Sequence, residues 1–211
     1  MNVVFMGVQG SGKGTQAERI AQLTGWKHIN IGQLFREQLS TDSELSREVK
    51  NYVLKGELVP DEITFKVIDS ARSGNTEGMI FDGFPRTGEQ AEYLIKNSHI
   101  DGIIVLELPE EESLRRLTSR RNCSKCQANY NLLFKPPKVE GICDKCGGKL
   151  VARADDSLPE IKRRIEIYNE QENSILKVCE AHHVPIIRIN GKQSIEQIFE
   201  EIRNALEELE Q

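Results

Sequence analysis

Residues Gly7 to Thr15 read GVQGSGKGT, directly after an apolar run at 3–6 and directly before the helical pattern TQAERIAQLTG. A strand, a glycine-rich turn and a helix in that order make a phosphate-binding loop. Glycines at 7, 10, 12 and 14 let successive N–H groups face one anion, and the helix adds the positive end of its dipole. Lys13 supplies a mobile charge for terminal phosphates. The common pattern has a hydroxyl directly after the lysine, whereas here Gly14 intervenes and the hydroxyl arrives at Thr15. Further phosphate-directed charge is scattered along the chain. DGFPRT puts Asp82 and Arg86 at the carboxyl end of an apolar strand, where open α/β sheets bind ligands. Arg36, Arg116 and Arg120 (four apart, read as one helix face), Arg153 with Asp155 and Asp156, and Arg164 complete the set. Singly, each arginine is equally well a solvated surface charge; together with the loop they form a cage.

The second chemical signal is sulfur. Cys123 and Cys126, then Cys143 and Cys146, form two CxxC knuckles at the spacing of a four-thiolate zinc site. With no ligand position left for water, such a site is structural. Two disulfides would need an oxidising compartment, and a redox pair would not need duplication. Cys179 lies in a helical pattern among Ile175, Leu176 and Val178 and reads as a buried thiol.

These groups must be positioned by a sheet. Short apolar runs alternate with helical patterns, as in an α/β fold with a parallel sheet. Strands are expected at 3–6, 79–81, 103–108 and 185–189, with a weaker one at 26–29. Helices are expected at 13–23, 31–39, 43–55, 61–72, 88–96, 110–121, 158–181 and 194–209. Asp61 and Ser194 read as N-caps, the latter with Gln197 in a capping box. The chain has 211 residues, 38% of them hydrophobic, with no apolar stretch near the roughly 18 residues of a membrane span. No secretory leader is evident, so a cytoplasmic protein is expected. The net charge of −5 argues against coating a nucleic acid, yet residues 113–164 hold 13 Lys and Arg against 5 Asp and Glu. A local basic segment on an acidic body suits a small polyanion.

The combination resembles the adenylate kinase family, in its long form with a zinc-bearing insertion, over essentially the whole chain. The matching stretches are GxxGxGKGTQ at Gly7 to Gln16, GxLV at Gly56 to Val59, DGFPRT with Gln90, and RR before the first knuckle. The paired CxxC, YN followed by FxPPK, RxDD at Arg153 to Asp156, and KRR ending at Arg164 complete it. The resemblance implies a P-loop three-layer core with a five-stranded parallel sheet at 1–29, 60–120 and 159–211. It also implies a nucleoside-monophosphate-binding insertion at 30–59 and a zinc-binding lid at 121–158. The implied reaction is ATP + AMP ⇌ 2 ADP by direct in-line transfer with Mg2+, in a monomer without nucleic-acid or membrane partners, with Zn2+ as a structural ion.

By that resemblance Gly10, Ser11, Gly12, Lys13, Gly14 and Thr15 hold the ATP phosphates, with Arg116, Arg120, Asn129, Tyr130 and Gln193 on the same side. Ile31, Arg36, Glu57, Leu58, Val59, Gly83, Phe84, Pro85, Arg86 and Gln90 belong to the AMP side, with Gln90 facing adenine. Lys13, Asp82, Arg86, Arg120, Arg153 and Arg164 carry catalysis, Asp82 ordering the magnesium waters and Arg153 and Arg164 also contacting AMP. Asp155 and Asp156 help close the lid.

Three residues depart from the family pattern. Where most members read ISTGDxLR, this chain reads INIGQLFR, so Asn30, Ile31 and Gln33 replace serine, threonine and aspartate. Ile31 offers packing in place of a hydroxyl beside the acceptor nucleoside, so weaker selectivity for AMP is expected. Gln9 replaces the loop's common proline. A kinase of other nucleoside monophosphates is one alternative. A zinc-ribbon nucleic-acid-binding protein switched by nucleotide, with Tyr130 and Phe134 stacking on bases, is another.

Overall fold

The computed structural model describes residues 1–39, 44–55, 57–74, 78–153 and 156–210. Gly56 and Asp155 lie outside the described residues, as does the expected start of a helix at residue 43. The chain runs β1 (Asn2–Met6), α1 (Lys13–Thr24), β2 (Lys27–Asn30), α2 (Ile31–Leu39), α3 (Glu44–Val53), α4 (Asp61–Arg72), β3 (Met79–Asp82) and α5 (Gly88–Asn97). It continues through β4 (Gly102–Glu107), α6 (Glu110–Thr118), β5 (Arg120–Cys123), β6 (Asn129–Asn131), β7 (Leu150–Val151), α7 (Leu158–Ala181), β8 (Ile186–Asn190) and α8 (Ile195–Leu209).

Five strands form one parallel sheet in the order β2-β3-β1-β4-β8. Its central strands are continuous apolar runs because both faces are covered. Val4 and Met6 of β1, with Ile103 and Val105 of β4, face one core, shared with α2, α3, α4, α5 and α7. Their neighbours Val3, Phe5, Ile104 and Leu106 face the opposite core, built on Ala17 and Ile20 of α1 and the apolar stripe of α8. Cys179 is buried in the first core. The Ser194–Gln197 capping box is formed in full at the start of α8.

A second, three-stranded antiparallel sheet, β6-β5-β7, holds Cys123 at the end of β5 and the other three knuckle cysteines in the turns beside it. It corrects one expectation. The helix expected to reach residue 121 ends at Thr118, and Arg120 starts a strand, so Arg116 and Arg120 share no helix face. The cause is tertiary: the Asn131 side chain donates to the Arg116 carbonyl (2.9 Å), taking up a helix-end acceptor, while Arg120 pairs with Asn131 across the ladder. Asp61 is likewise not a cap; Pro60 stands in the cap position and Asp61 is the first helical residue. Among the described residues no helix is long and apolar enough to cross a membrane.

Candidate active site

A cleft of about 1000 Å³ opens at the carboxyl edge of the parallel sheet. Its floor is the turn between β1 and α1. Gly7 adopts φ 140°, and a Cβ there would meet the Leu106 carbonyl oxygen at 2.4 Å, so only glycine lets the loop lie hard against β4. Gly10 backs onto α6, where the fully buried Ser113 hydroxyl donates to the Gln9 carbonyl (2.5 Å). Gly12, at φ 102°, caps α1 through its backbone and leaves the first turn's N–H groups open to an anion.

Lys13 folds back over this loop, its ammonium donating to the carbonyls of Gly7 and Val8 (3.0 Å to the latter). Burial and the positive charges of Arg86, Arg164 and Arg120 push it down to about 8, although Asp82 pulls the other way. Asp82 ends β3. Burial alone pushes its carboxyl up, but the hydrogen bond and charge of His28, the charge of Lys13 and a bond from Asn30 outweigh it and hold Asp82 below the usual carboxylate range. His28 Nε2 lies 3.2 Å from Asp82 Oδ2, and Asn30 Nδ2 donates to the same oxygen.

The arginines converge from four directions. Arg36 comes from α2, and Arg86 from the loop after β3, where its Nε donates to the Gly83 carbonyl (2.7 Å). Arg120 comes from β5 and Arg164 from α7, and both grip Asp156. Arg120 donates through Nε to Oδ2 (2.7 Å) and through Nη2 to Oδ1 (2.5 Å), and Arg164 through Nη1 to Oδ1 (3.1 Å). Burial and the like charge of Arg153 push Arg120 down to about 10, while Asp156 supports it. Arg153 lines the same cleft.

The cleft is lined by all six loop residues from Gly10 to Thr15, and by Arg36, Leu58, Asp82, Gly83, Pro85, Arg86, Arg116, Arg120, Asn129, Tyr130, Arg153, Arg164 and Gln193. Other candidates lie elsewhere. Ile31, Val59 and Phe84 are buried in the first core, and Glu57 is exposed on the surface. Gln90 is buried and engaged: its Oε1 accepts from the Arg86 N–H (2.8 Å) and its Nε2 donates to Asp61 (2.6 Å). In this structure its amide therefore holds Arg86 in place. Gln193 donates to Glu201 (2.9 Å).

The four knuckle sulfurs lie within 4.8 Å of one another, Cys123 to Cys146 at 3.4 Å and Cys126 to Cys143 at 3.6 Å. Sulfurs on a tetrahedral zinc stand about 3.8 Å apart, so the set fits that ion. The N–H groups of Lys125 and Cys126 point at Cys123 Sγ, as thiolate knuckles require. The Tyr130 hydroxyl accepts from the Asp144 N–H (2.7 Å) and sits 3.4 Å from Cys143 Sγ, pushing that thiol down to about 6. So although Tyr130 lines the cleft, its hydroxyl serves the cysteine cluster.

Sequence reasoning missed what four residues do here. His28 and Asn30 alternate on one face of β2, a signal the period of two could have raised. Phe134 lines the cleft with its ring over Arg115 and Arg116, centroid distances 5.2 and 5.0 Å. Lys145, in the second knuckle, pairs with Glu18 of α1 (3.0 Å), joining the cysteine-bearing sheet to the loop's own helix.

The family model for adenylate kinase matches residues 5–184. Over 214 residues the chain is 44% identical to an adenylate kinase of Carboxydothermus hydrogenoformans, covering 98% of this chain and 100% of the relative. An adenylate kinase of Clostridium tetani is 39% identical over 98% of each chain. One of Staphylococcus aureus is 40% identical over 99% of this chain and 100% of its own length.

Proposed function

The chain belongs to the adenylate kinase family and transfers a phosphoryl group between ATP and AMP; we propose that it does so directly, with both nucleotides in the one cleft at the carboxyl edge of the sheet. One observation carries this reading: Lys13, Asp82, Arg86, Arg120 and Arg164, drawn from four segments, line one cleft, and the other four are all near enough to act on the charge of Lys13. A phosphoryl group in flight needs alignment and positive charge more than covalent help, and that is what such a convergence offers.

On this reading the glycine-rich loop and Lys13 hold the donor's phosphates, with Arg116, Asn129 and Gln193 around the donor nucleoside. Arg36 and Arg86, with Leu58, Gly83 and Pro85, take the acceptor monophosphate, helped by Arg153 and Arg164. Lys13 must leave the Gly7 and Val8 carbonyls for the incoming phosphates, and Arg120 and Arg164 must exchange Asp156 for them. Asp82, a buried carboxylate held ionised at the sheet edge, would hold Mg2+ through its waters, and the ion would neutralise charge on the phosphate chain. Cys123, Cys126, Cys143 and Cys146 would hold Zn2+, which supplies a cross-link and no chemistry.

We read 30–59 as the monophosphate-binding insertion and 121–158 as a lid that excludes water during transfer, supported by the Lys145–Glu18 contact across the cleft. A four-thiolate zinc site requires reduced cysteines, which suits a cytoplasmic protein. The nucleic-acid reading loses Tyr130, which is buried against the cysteines, while Phe134 stays 43% exposed beside two arginines. A coupled ADP-formation assay on Arg86→Ala tests the assignment. Loss of one such charge is expected to lower kcat/KM by about a hundredfold or more with the fold intact. Near-normal rates would overturn it.

A further inference from the structure

We propose that Asn30 is a positioning residue whose side-chain amide ties the Asp82 carboxylate to the first turn of the helix carrying Arg36, and so holds the donor and acceptor sides in one alignment. Parallel pairing makes Asn30 and Asp82 direct neighbours, each the last residue of its strand, with their side chains at the cleft. The amide uses both its ends. Nδ2 donates to Asp82 Oδ2, and Oδ1 accepts from the Gln33 N–H (2.8 Å). That second bond joins the residue before α2 to the third residue within it, the geometry of a side-chain N-cap. The amide's orientation follows from chemistry, since a carboxylate can only accept and an N–H can only donate.

The surroundings place this bridge between the two substrate sides. A Cβ on Gly14, in the first turn of α1, would stand 3.2 Å from Asp82 Oδ2 and 3.9 Å from Asn30 Nδ2. A Cβ on Gly32, in the first turn of α2, would stand 3.4 Å from Asn30 Oδ1, 3.2 Å from an Arg36 guanidinium nitrogen and 3.7 Å from one of Arg86. One amide thus spans from the phosphate-loop helix to the arginines of the acceptor side. Aspartate would lack the donor. Serine, the usual residue of the family pattern here, can still cap the helix, but its hydroxyl is one bond shorter and would have to make both contacts from a single atom.

The inference rests on the roles proposed above for Asp82 and Arg36, and the test separates the two. Asn30→Ser keeps the cap and loses the tie to Asp82; Asn30→Ala loses both. Calorimetric AMP binding without turnover, hydrogen exchange at the Gln33 amide, and kcat are measured for each. Asn30→Ser should bind AMP within about twofold of the parent with Gln33 still protected, while kcat falls about three- to tenfold. Asn30→Ala should also weaken AMP binding about three- to tenfold and expose the Gln33 amide. In an Asp82→Ala background, which removes the acceptor, Asn30→Ser should lower kcat no further, which a general structural defect would not reproduce. An undiminished kcat in Asn30→Ser, or unchanged Gln33 exchange and AMP affinity in Asn30→Ala, would overturn the proposal. If the parent protein formed no ADP the functional reading would fail first, and the exchange and AMP-binding arms would still decide whether the tie exists.

Discussion

Replacing Asp156 by asparagine tests how the arginine cage is held together before substrate arrives. The Asp156 side chain is 3% exposed and receives three charge-assisted hydrogen bonds from Arg120 and Arg164, whose own side chains are 18% and 13% exposed. Hydrogen bonds to a charged group contribute about 1.5–3 kcal/mol each, net of exchange with water. Asparagine keeps the shape and part of the accepting capacity, and the freed guanidiniums regain water from the cleft, so the net loss is about 2 kcal/mol. For a chain of this size that is a fall in Tm of about 4–8 °C. The sign of the ligand effect is the informative part. Phosphates replace Asp156 as counter-charge, so with a saturating dinucleotide the fall should shrink to less than about half, and the variant's ligand-induced Tm rise should exceed the parent's. Thermal scans with and without ligand check this. Equal losses in both would make Asp156 an ordinary anchor and refute the idea that it stands in for phosphate.

Three further outcomes are expected. Purified protein should carry one zinc per chain by elemental analysis, and chelation should open the lid to trypsin at Lys125, Lys145 and Lys149 while AMP binding persists; an unchanged digest would contradict a structural zinc. Lys13 titrates near 8 without ligand and phosphates raise that value, so ATP binding should take up a proton at about pH 8.5, none at about pH 7, and weaken as pH rises past 8. Calorimetry in buffers of different ionisation heats reads this directly, and equal heats at the higher pH would contradict it. With Ile31 buried in the core and offering no hydrogen bond, AMP should lose about three- to tenfold in preference. Comparing kcat/KM for AMP, CMP, UMP and GMP tests this; strict AMP preference by many orders of magnitude would sink it.

How far the sequence could be read follows from where each signal arises. Strands buried on both faces are apolar without interruption, so β1, β3 and β4 were visible directly, whereas the edge strand β8 was marked by Ile186, Ile187 and Ile189 around the exposed Arg188. The edge strand β2 has one buried apolar residue, Ile29, and was correspondingly faint. The phosphate loop and the knuckles were legible because local backbone geometry dictates their glycines and cysteines. The end of α6 was not legible: nothing local breaks the pattern before Arg121, and the stop comes from Asn131 reaching back to Arg116. Strand register hid the Asp82 environment, since only pairing brings His28 and Asn30 to that carboxylate. Gln90 was hidden in the same way, its partners Arg86 and Asp61 being met only through packing.

The central claim, that donor and acceptor occupy one cleft together, is tested most directly by steady-state inhibition with a bisubstrate dinucleotide, two adenosines joined through five phosphates. The account predicts competitive inhibition against both MgATP and AMP, with Arg86→Ala weakening it. Competition with one nucleotide alone would contradict a shared cleft.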